Sequence, residues 1–231
     1  MNNIDKILIG HTKNGKEFYI NLKEKRTILI VDKNKTGQIL FFKKLITELS
    51  KTPNKNLIQF LMIEDNHNYD NMDSDIRCYL PIADNREKID DLLDYLKDTK
   101  ESRFKLIRES GVYNVEDYNN KEYFKLASIY LFIDELAIIQ KYDKLEMLMS
   151  LIKNSTACGI YIIVATSNVS NKNVLCGKVK ANFYNRMCFN VDSKEESKLV
   201  LDESGAEILN RNNNEVIINE IIKSTIVSLD F

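Results

Sequence analysis

The apolar residues of this chain fall into short uninterrupted runs that alternate with longer stretches in which they recur at helical spacing. Uninterrupted runs rich in Ile, Leu and Val are typical of strands buried on both faces of a parallel sheet, and they occupy residues 27–31, 57–63, 128–133 and 160–165. Helical spacing extends from Ile39 to a break at Pro53, and over residues 86–110 and 136–153. This alternation predicts an α/β fold, doubly wound around a mostly parallel sheet with helices on its faces.

Turn-forming residues predict a different arrangement at the two ends of the chain. Asn14-Gly15, a dipeptide that favours a tight turn, separates apolar stretches at 6–10 and 17–21 and predicts an N-terminal hairpin. Further strands are expected at 78–83, 186–191, 216–218 and 225–229, with a helix at 194–201. The sheet should therefore carry an antiparallel edge. Because neither a repeat nor a linker divides the sequence, one domain is expected over residues 1–231.

Composition narrows the class of protein. Hydrophobic residues make up 44% of the chain, enough for a packed core, which excludes general disorder. Lys and Arg number 33 against 34 Asp and Glu, so the formal charge is −1 and nucleic-acid binding would need a local basic patch. The apolar runs are shorter than the about 20 residues of a membrane span, and the N-terminus lacks a secretory signal. Four cysteines without a CxxC pair predict no zinc site and no disulfide framework.

Polar residues that follow the apolar runs are the candidate site, because open α/β sheets bind ligands beyond the carboxyl ends of their strands. Asp134 and Glu135 follow the run at 128–133. This pair is Walker B-like: the Asp would hold a Mg²⁺ shell and the Glu would orient or activate water. The alternative is that the two residues simply provide a polar end to a buried strand. Thr166 and Ser167 follow the run at 160–165, where either a γ-phosphate sensor or a turn cap is expected.

The loop after residues 27–31 has the length and position of a phosphate-binding P-loop. In the pattern G-x-x-x-x-G-K-[ST], glycines admit the phosphates, the Lys reaches the β/γ-phosphates and the hydroxyl holds Mg²⁺. Here Asp32, Gln38 and Ile39 replace the first Gly, the Lys and the Ser/Thr. The candidate nucleotide-binding residues of this degenerate loop are Lys33, Lys35, Thr36, Gly37, Gln38 and Ile39.

Five segments carry motifs in an order found in one protein family: 101–119 (ESRFKLIRESGVYNVEDYN), 134–137 (DELA), 159–166 (GIYIIVAT), 177–186 (GKVKANFYNR) and 201–209 (LDESGAEIL). Together they resemble the FtsK/SpoIIIE DNA translocases almost from end to end. The resemblance implies a RecA-like motor domain of the P-loop NTPase fold, with a lead-in hairpin over 1–26 and a core over 27–231. It also implies hexameric rings that hold nucleotide between protomers.

The departures from the family pattern cluster at positions that act on nucleotide in the family. Besides the three P-loop replacements, the Gln expected after Ala-Thr is Ser167, and arginines are missing at Tyr113 and Thr156. The family's Gly-Arg-Gly-Asp near the end is replaced by residues 210–214. The residues that build the scaffold match the family pattern, whereas those that act on nucleotide do not. The resemblance therefore implies a pseudo-ATPase.

A basic segment offers a candidate surface for DNA or for a neighbouring subunit, with a solvated charged loop as the alternative. Its candidate contact residues are Lys178, Lys180, Asn182 and Arg186, and Lys172 lies nearby. Tyr113 and Tyr118 are expected to pack against the end of the helix at 86–110, with stacking on bases as the alternative. His67 is expected on a surface loop.

Three hypotheses about function belong to different classes. The chain is a pseudo-ATPase that serves as a ring or regulatory subunit in DNA transfer; or an ATP-driven DNA translocase in which Lys33 or Lys35 replaces the missing lysine; or a protein-binding module of a type VII-like secretion system. Expected partners are copies of the chain or an intact relative, with DNA as a further candidate and no direct membrane insertion. No cofactor is assigned, and Mg-ATP is the candidate should nucleotide bind at all. The expected location is the cytoplasm, in association with a membrane-bound transfer machine.

Overall fold

The computed structural model describes residues 6–25, 27–51, 57–64, 66, 68–69, 82–170, 174–210, 212, 214–219 and 224–231. The predictions that concern Pro53, His67, Lys172 and residues 78–81 fall outside these residues.

The described strands form one nine-stranded sheet. Their bounds are β1 Lys6–Thr12, β2 Glu17–Asn21, β3 Thr27–Val31, β4 Ile58–Ile63, β5 Ser128–Ile133, β6 Ile160–Thr166, β7 Asn185–Cys188, β8 Glu215–Asn219 and β9 Ser224–Leu229. The spatial order is β2-β1-β9-β8-β7-β3-β6-β5-β4.

The sheet divides into a parallel and an antiparallel part. Strands β7, β3, β6, β5 and β4 run parallel to one another, whereas β8, β9, β1 and β2 pair antiparallel. The hairpin β1–β2 turns at Gly15, whose φ of 74° is the left-handed conformation expected of Asn-Gly turns. The predicted α/β fold class, N-terminal hairpin and antiparallel edge are confirmed.

Helices lie on both faces of the sheet. Their bounds are α1 Leu22–Lys25, α2 Thr36–Ser50, α3 Arg86–Glu109, α4 Val115–Lys121, α5 Leu136–Lys141, α6 Leu145–Ile152, α7 Gly177–Asn182 and α8 Lys194–Leu201, with 3₁₀ turns at Ser155–Cys158 and Ala206–Ile208. The long helix α3 begins after Asn85, whose side-chain oxygen accepts the N–H of Lys88 at 3.1 Å and caps the helix.

The prediction of one helix over residues 136–153 is wrong, because the segment divides into α5 and α6. Asp143 adopts a left-handed φ of 58°, and the N–H of Lys144 turns back to the carbonyl of Ile139 at 2.9 Å, which ends α5. The strand expected at 186–191 is also shorter, since pairing stops at Cys188. Helices α4 and α7 are only one to two turns long, too short for a periodic apolar pattern to predict them.

Each face of the parallel strands packs against its own core. On β3, Leu29 and Val31 point into one apolar cluster, and Ile28 and Ile30 point into the other. This two-sided burial accounts for the uninterrupted apolar run. Among the described helices, none combines the length and apolar character needed to cross a bilayer.

Candidate functional site

The candidate residues meet at the carboxyl ends of β3, β6 and β5, which are neighbours in the sheet. Parallel strands end at the same edge, so the loop after β3 lies beside Asp134 and Glu135 after β5 and beside Thr166 and Ser167 at the end of β6. The N–H of Asp32 donates to the Thr166 carbonyl at 3.1 Å and fixes the start of the loop. The structure thus brings the three predicted groups of residues together.

The carboxylate of Asp32 folds back into its own loop. One oxygen accepts the N–H of Asn34 at 3.1 Å, and the other accepts the N–H of Gln38 at 3.0 Å. Gln38 lies in the first turn of α2, where backbone N–H groups have no partner within the helix. Asp32 therefore caps α2 from outside, and its side chain is only 4% exposed.

Gln38 occupies the position of the P-loop lysine and contacts Asp134 directly. Its Nε2 donates to the Asp134 carbonyl at 2.9 Å and to the Asp134 carboxylate at 3.1 Å. The hydroxyl of Tyr69 donates to the same carboxylate at 2.7 Å, and the Asn68 amide lies 3.3 Å from its other oxygen. Burial, together with the charge of Asp134, raises the pKa of the Tyr69 hydroxyl, which stays a proton donor. Among the described residues, the side chains that donate hydrogen bonds to Asp134 are thus neutral.

The carboxylate of Glu135 is turned toward the end of β6. It accepts the Thr166 hydroxyl at 2.6 Å, and the N–H and hydroxyl of Ser167 at 3.0 and 2.7 Å. Burial by itself would raise the pKa of Glu135, but these donors and the N–H of Ala137 outweigh it and lower the pKa. Glu135 is therefore ionised and already hydrogen-bonded through both oxygens.

The two loop lysines point in different directions. Lys35 has a left-handed φ of 64°, and its ammonium lies 3.4 Å from the carboxylate of Glu135. Lys33 instead pairs with Asp192, which precedes α8, and lies 3.2 Å from Glu196 in the first turn of α8. The pairing with these two carboxylates raises the pKa of Lys33. Of the two candidates for a replacement lysine, Lys35 is the one that faces the Walker B-like pair.

Packing explains the remaining positions of the loop. A Cβ on Gly37 would lie 2.3 Å from the ring of Phe189, so the buried ring requires glycine there. Thr36 is exposed, and its hydroxyl reaches the carbonyl of Asn34 at 3.4 Å. Ile39 packs at the edge of the core beneath α2. Ile39, which stands where the P-loop pattern has Ser or Thr, is thus part of the hydrophobic packing.

The electrostatic character of this edge is acidic. Four carboxylates, each at most 5% exposed, lie where the strands end: Asp32, Glu64, Asp134 and Glu135. In the described part of the chain, Lys35 is the cation that forms a salt bridge with one of them. Among the described residues where these strands end, buried carboxylates therefore outnumber the cations that pair with them.

The basic candidates lie elsewhere, on α7 and at the start of β7, and they already have acidic partners. Lys180 and Arg186 both pair with Asp202, with 2.6 Å between Arg186 and the carboxylate. Arg186 also donates to the Val200 carbonyl at 2.8 Å. The arrangement forms one side of an open groove of about 560 Å³.

Lys178 and Asn182 are similarly engaged. The ammonium of Lys178 pairs with Glu146 on α6, and the Asn182 amide donates to the Lys178 carbonyl at 2.8 Å. Lys180 and Arg186 thus meet at Asp202, whereas Lys178 pairs with α6, and no contact joins any of the four candidates to the loop after β3 among the described residues. Their contact with DNA or a subunit stays a prediction.

The family-like segment 101–119 contributes scaffold contacts. Arg103, 8% exposed, donates to the Cys158 carbonyl at 2.9 Å and so joins α3 to the turn before β6. The expectation that Tyr113 packs against the long helix is wrong, since Tyr113 is 90% exposed, whereas Tyr118 is buried. Tyr113 precedes the cap of α4, and its ring is left facing solvent.

Sequence reasoning missed several residues of the site. The rule that selected the other candidates would have found Glu64, which directly follows β4 at the same edge, whereas Asn68 and Tyr69 lie farther along the chain and only the fold brings them to Asp134. Asp192 and Glu196 had no local signal, because only the fold brings them to Lys33.

Comparison by sequence relates the chain to DNA translocases. No family model matches it. It is 28% identical over 221 residues to the DNA translocase FtsK of Streptococcus pyogenes serotype M3 (strain SSI-1), which covers 90% of this chain and 28% of the relative. Against the DNA translocase FtsK of Leptospira interrogans serovar copenhageni, identity is 28% over 215 residues, with 88% and 23% covered. The chain thus spans less than a third of the length of these curated relatives.

Comparison by structure relates the fold to ATPases of transfer systems. The pCW3 conjugation coupling protein TcpA, in a monomer form with ATPγS, matches with a TM-score of 0.86 and 21% identity, over 99% of this chain and 66% of that one. The cytoplasmic domain of the Thermomonospora curvata type VII secretion ATPase EccC matches with a TM-score of 0.80 and 16% identity, over 99% and 29%. The predicted P-loop ATPase fold and the resemblance to FtsK are confirmed.

Proposed function

We propose that this chain, a homologue of the FtsK DNA translocases, is a translocase-type domain that does not hydrolyse ATP and acts as a ring or regulatory subunit in DNA transfer. The observation that carries this proposal is the contact between Gln38 and Asp134. Where a working loop has a lysine free to reach phosphates, this loop has a neutral amide, whose nitrogen donates to the carbonyl and to the carboxylate of the buried Asp134.

The residues of the site do not fit Mg-ATP. Gln38 cannot supply the positive charge that a lysine brings to the β/γ-phosphates, and Ile39 cannot supply the hydroxyl that holds Mg²⁺. The carboxylates of Asp134 and Glu135 are already hydrogen-bonded to side chains of the chain itself. Removing one preorganised donor from a reacting site typically costs about 10² to 10³ in rate, and this site lacks more than one.

A domain that has lost its chemistry can still keep the surfaces by which it assembles. We therefore propose that the chain associates with itself or with a catalytically intact relative, in the cytoplasm beside a membrane-bound transfer machine. Sedimentation alone and with the candidate relative tests the association, and a monomer in both series would exclude it.

The test of the proposed function is steady-state phosphate release from Mg-ATP, with and without duplex DNA. The wild type should match its own Glu135→Gln variant in both conditions, because neither turns over. Turnover that vanishes in both Glu135→Gln and Lys35→Ala would contradict the proposal and favour an active translocase in which Lys35 replaces the lysine.

A second candidate function, a protein-binding module, is favoured by the groove beside α7. Apolar side chains of Leu175, Tyr184 and Leu199 line it, and Tyr184 is 59% exposed. One neighbour in fold, Thermomonospora curvata EccC, is known in complex with a signal sequence peptide. Pull-down of neighbouring gene products by the wild type, but not by Tyr184→Ala, would support this candidate; equal capture by both would argue against it.

A further inference from the structure

We propose that Asp32 is an internal blocking group that excludes phosphates from the loop after β3. The inference rests on the proposed function, in which this loop binds no nucleotide, and it assigns the exclusion to one side chain. An intramolecular carboxylate takes the backbone donors that the phosphates of a nucleotide would need.

The geometry of the loop shows how the donors are taken. The two carboxylate oxygens of Asp32 are each satisfied by a different backbone N–H, that of Asn34 at 3.1 Å and that of Gln38 at 3.0 Å. Backbone N–H groups of such a loop and of the following helix terminus are the groups that bind anions in P-loop folds. A carboxylate is itself an anion, so it satisfies the same preference.

The backbone holds the carboxylate in place from both sides. The N–H of Asp32 donates to the Thr166 carbonyl, and the carbonyl of Asp32 accepts the N–H of Lys35, both at 3.1 Å. The residue is 4% exposed, so the side chain has little room to swing outward. A phosphate from solution would have to displace a group that is covalently attached and therefore present at high effective concentration.

Charge adds to this steric competition. A triphosphate that enters the loop would lie against the Asp32 carboxylate, and Gln38 brings no cation to offset the repulsion. Asp32 and Gln38 are therefore separate obstacles: one occupies the backbone donors, and the other lacks the ammonium. Restoring lysine at position 38 alone should leave the first obstacle in place.

A four-protein cycle separates the two obstacles: wild type, Asp32→Gly, Gln38→Lys and the double variant. Each full chain is titrated calorimetrically with tripolyphosphate and with Mg-ATP. The wild type and Gln38→Lys should show no saturable binding, Asp32→Gly weak binding of tripolyphosphate, and the double variant the tightest binding of both. We expect the double variant to exceed Gln38→Lys by at least about tenfold in affinity, as the loss of one strong competing contact would give.

Asp32→Asn is a second variant in case glycine weakens the fold. It keeps an oxygen that can accept the Asn34 N–H but removes the negative charge and the acceptor for Gln38, so tripolyphosphate should bind more tightly than to the wild type. Melting temperatures without ligand establish that each variant is folded.

The outcomes distinguish this inference from the proposed function. If Gln38→Lys binds Mg-ATP as tightly as the double variant, or if neither Asp32→Gly nor Asp32→Asn binds tripolyphosphate better than the wild type, Asp32 is not the blocking group. Either result would leave the proposed function unaffected, because neither concerns ATP hydrolysis by the wild type. Binding and turnover of Mg-ATP by the wild type would instead overturn the proposed function.

Discussion

The hydroxyl of Tyr69 is the donor to Asp134 whose contribution can be isolated by removing a single atom. Tyr69→Phe keeps the ring, which stacks on Phe42 at 6.2 Å between centroids, but removes the 2.7 Å hydrogen bond to the buried carboxylate. We expect the free energy of unfolding to fall by about 1–2 kcal/mol, because a buried hydrogen bond to a carboxylate is lost while Gln38 still donates to the same oxygen. Denaturant unfolding at pH 7 measures it.

Tyr95→Phe is the matched control for that prediction. The Tyr95 hydroxyl donates to Gln59 at 3.0 Å, but this contact is exposed, so water can replace it. Its removal should cost no more than about 0.5 kcal/mol. Equal losses in the two variants would show that the Tyr69 contact with Asp134 has no special weight.

The lowered pKa of Glu135 predicts that the stability of the folded state depends on pH. Because its hydrogen bonds lower its pKa, the ionised side chain stabilises the folded state above the unfolded pKa of about 4.3, and this contribution is lost as the pH falls through the lower folded value. Glu135→Gln lacks the titration. The stability difference between wild type and variant, about 1–3 kcal/mol at pH 7, should therefore shrink from about pH 4.5 downward. A difference that stays constant from pH 7 to pH 3 would contradict this assignment.

Backbone pairing between β1 and β9 depends on Gly10. A Cβ at this position would lie 2.0 Å from the backbone oxygen of Ser228, and the register of β1 shifts between Leu8 and Gly10. Gly10→Ala should destabilise the protein by about 1–3 kcal/mol or more, as overpacking does, because the obstructing atom belongs to the backbone. Thermal unfolding measures the loss.

Gly177→Ala serves as the control, because Gly177 begins α7 and a Cβ there would meet no atom of another described element within 4 Å. Alanine at this position should be neutral or stabilising by up to about 1 kcal/mol. Similar destabilisation by both substitutions would argue that β1 and β9 do not pair as described.

Elements were predictable where one physical signal dominated. The run at 27–31 is buried on both faces, so its uninterrupted apolar character reports β3 directly. The segment 136–153 carries helical spacing on both sides of Asp143, and only the left-handed turn at that residue divides it. Similarly, the strand-end rule located Asp134 and Glu135, whereas the pairing of Lys33 with Asp192 and Glu196 depends on tertiary structure and has no sequence pattern.

For the whole molecule, the charge distribution predicts weak binding to DNA. The net charge is −1, and Lys180 and Arg186 are both paired with Asp202. Affinity for duplex DNA should be low and should fall with salt with a slope that reflects only about two or three phosphate contacts. Fluorescence anisotropy over a salt series measures this slope.

Asp202→Asn tests the same prediction from the opposite direction. Removing the shared carboxylate takes away the counter-charge of two cations, so affinity at low salt should rise and the salt slope should steepen by about one to two contacts. Tight binding by the wild type that resists physiological salt would contradict the low affinity expected from these pairs.

Calorimetric titration of the full wild-type chain with Mg-ATP measures whether the loop after β3 binds nucleotide. The contacts of Asp32, Gln38 and Asp134 predict no saturable heat up to millimolar nucleotide. They also predict no rise in melting temperature, because a ligand that does not bind the folded state cannot stabilise it. Saturable binding of one Mg-ATP per chain with a Kd of about 1 mM or tighter would contradict this prediction.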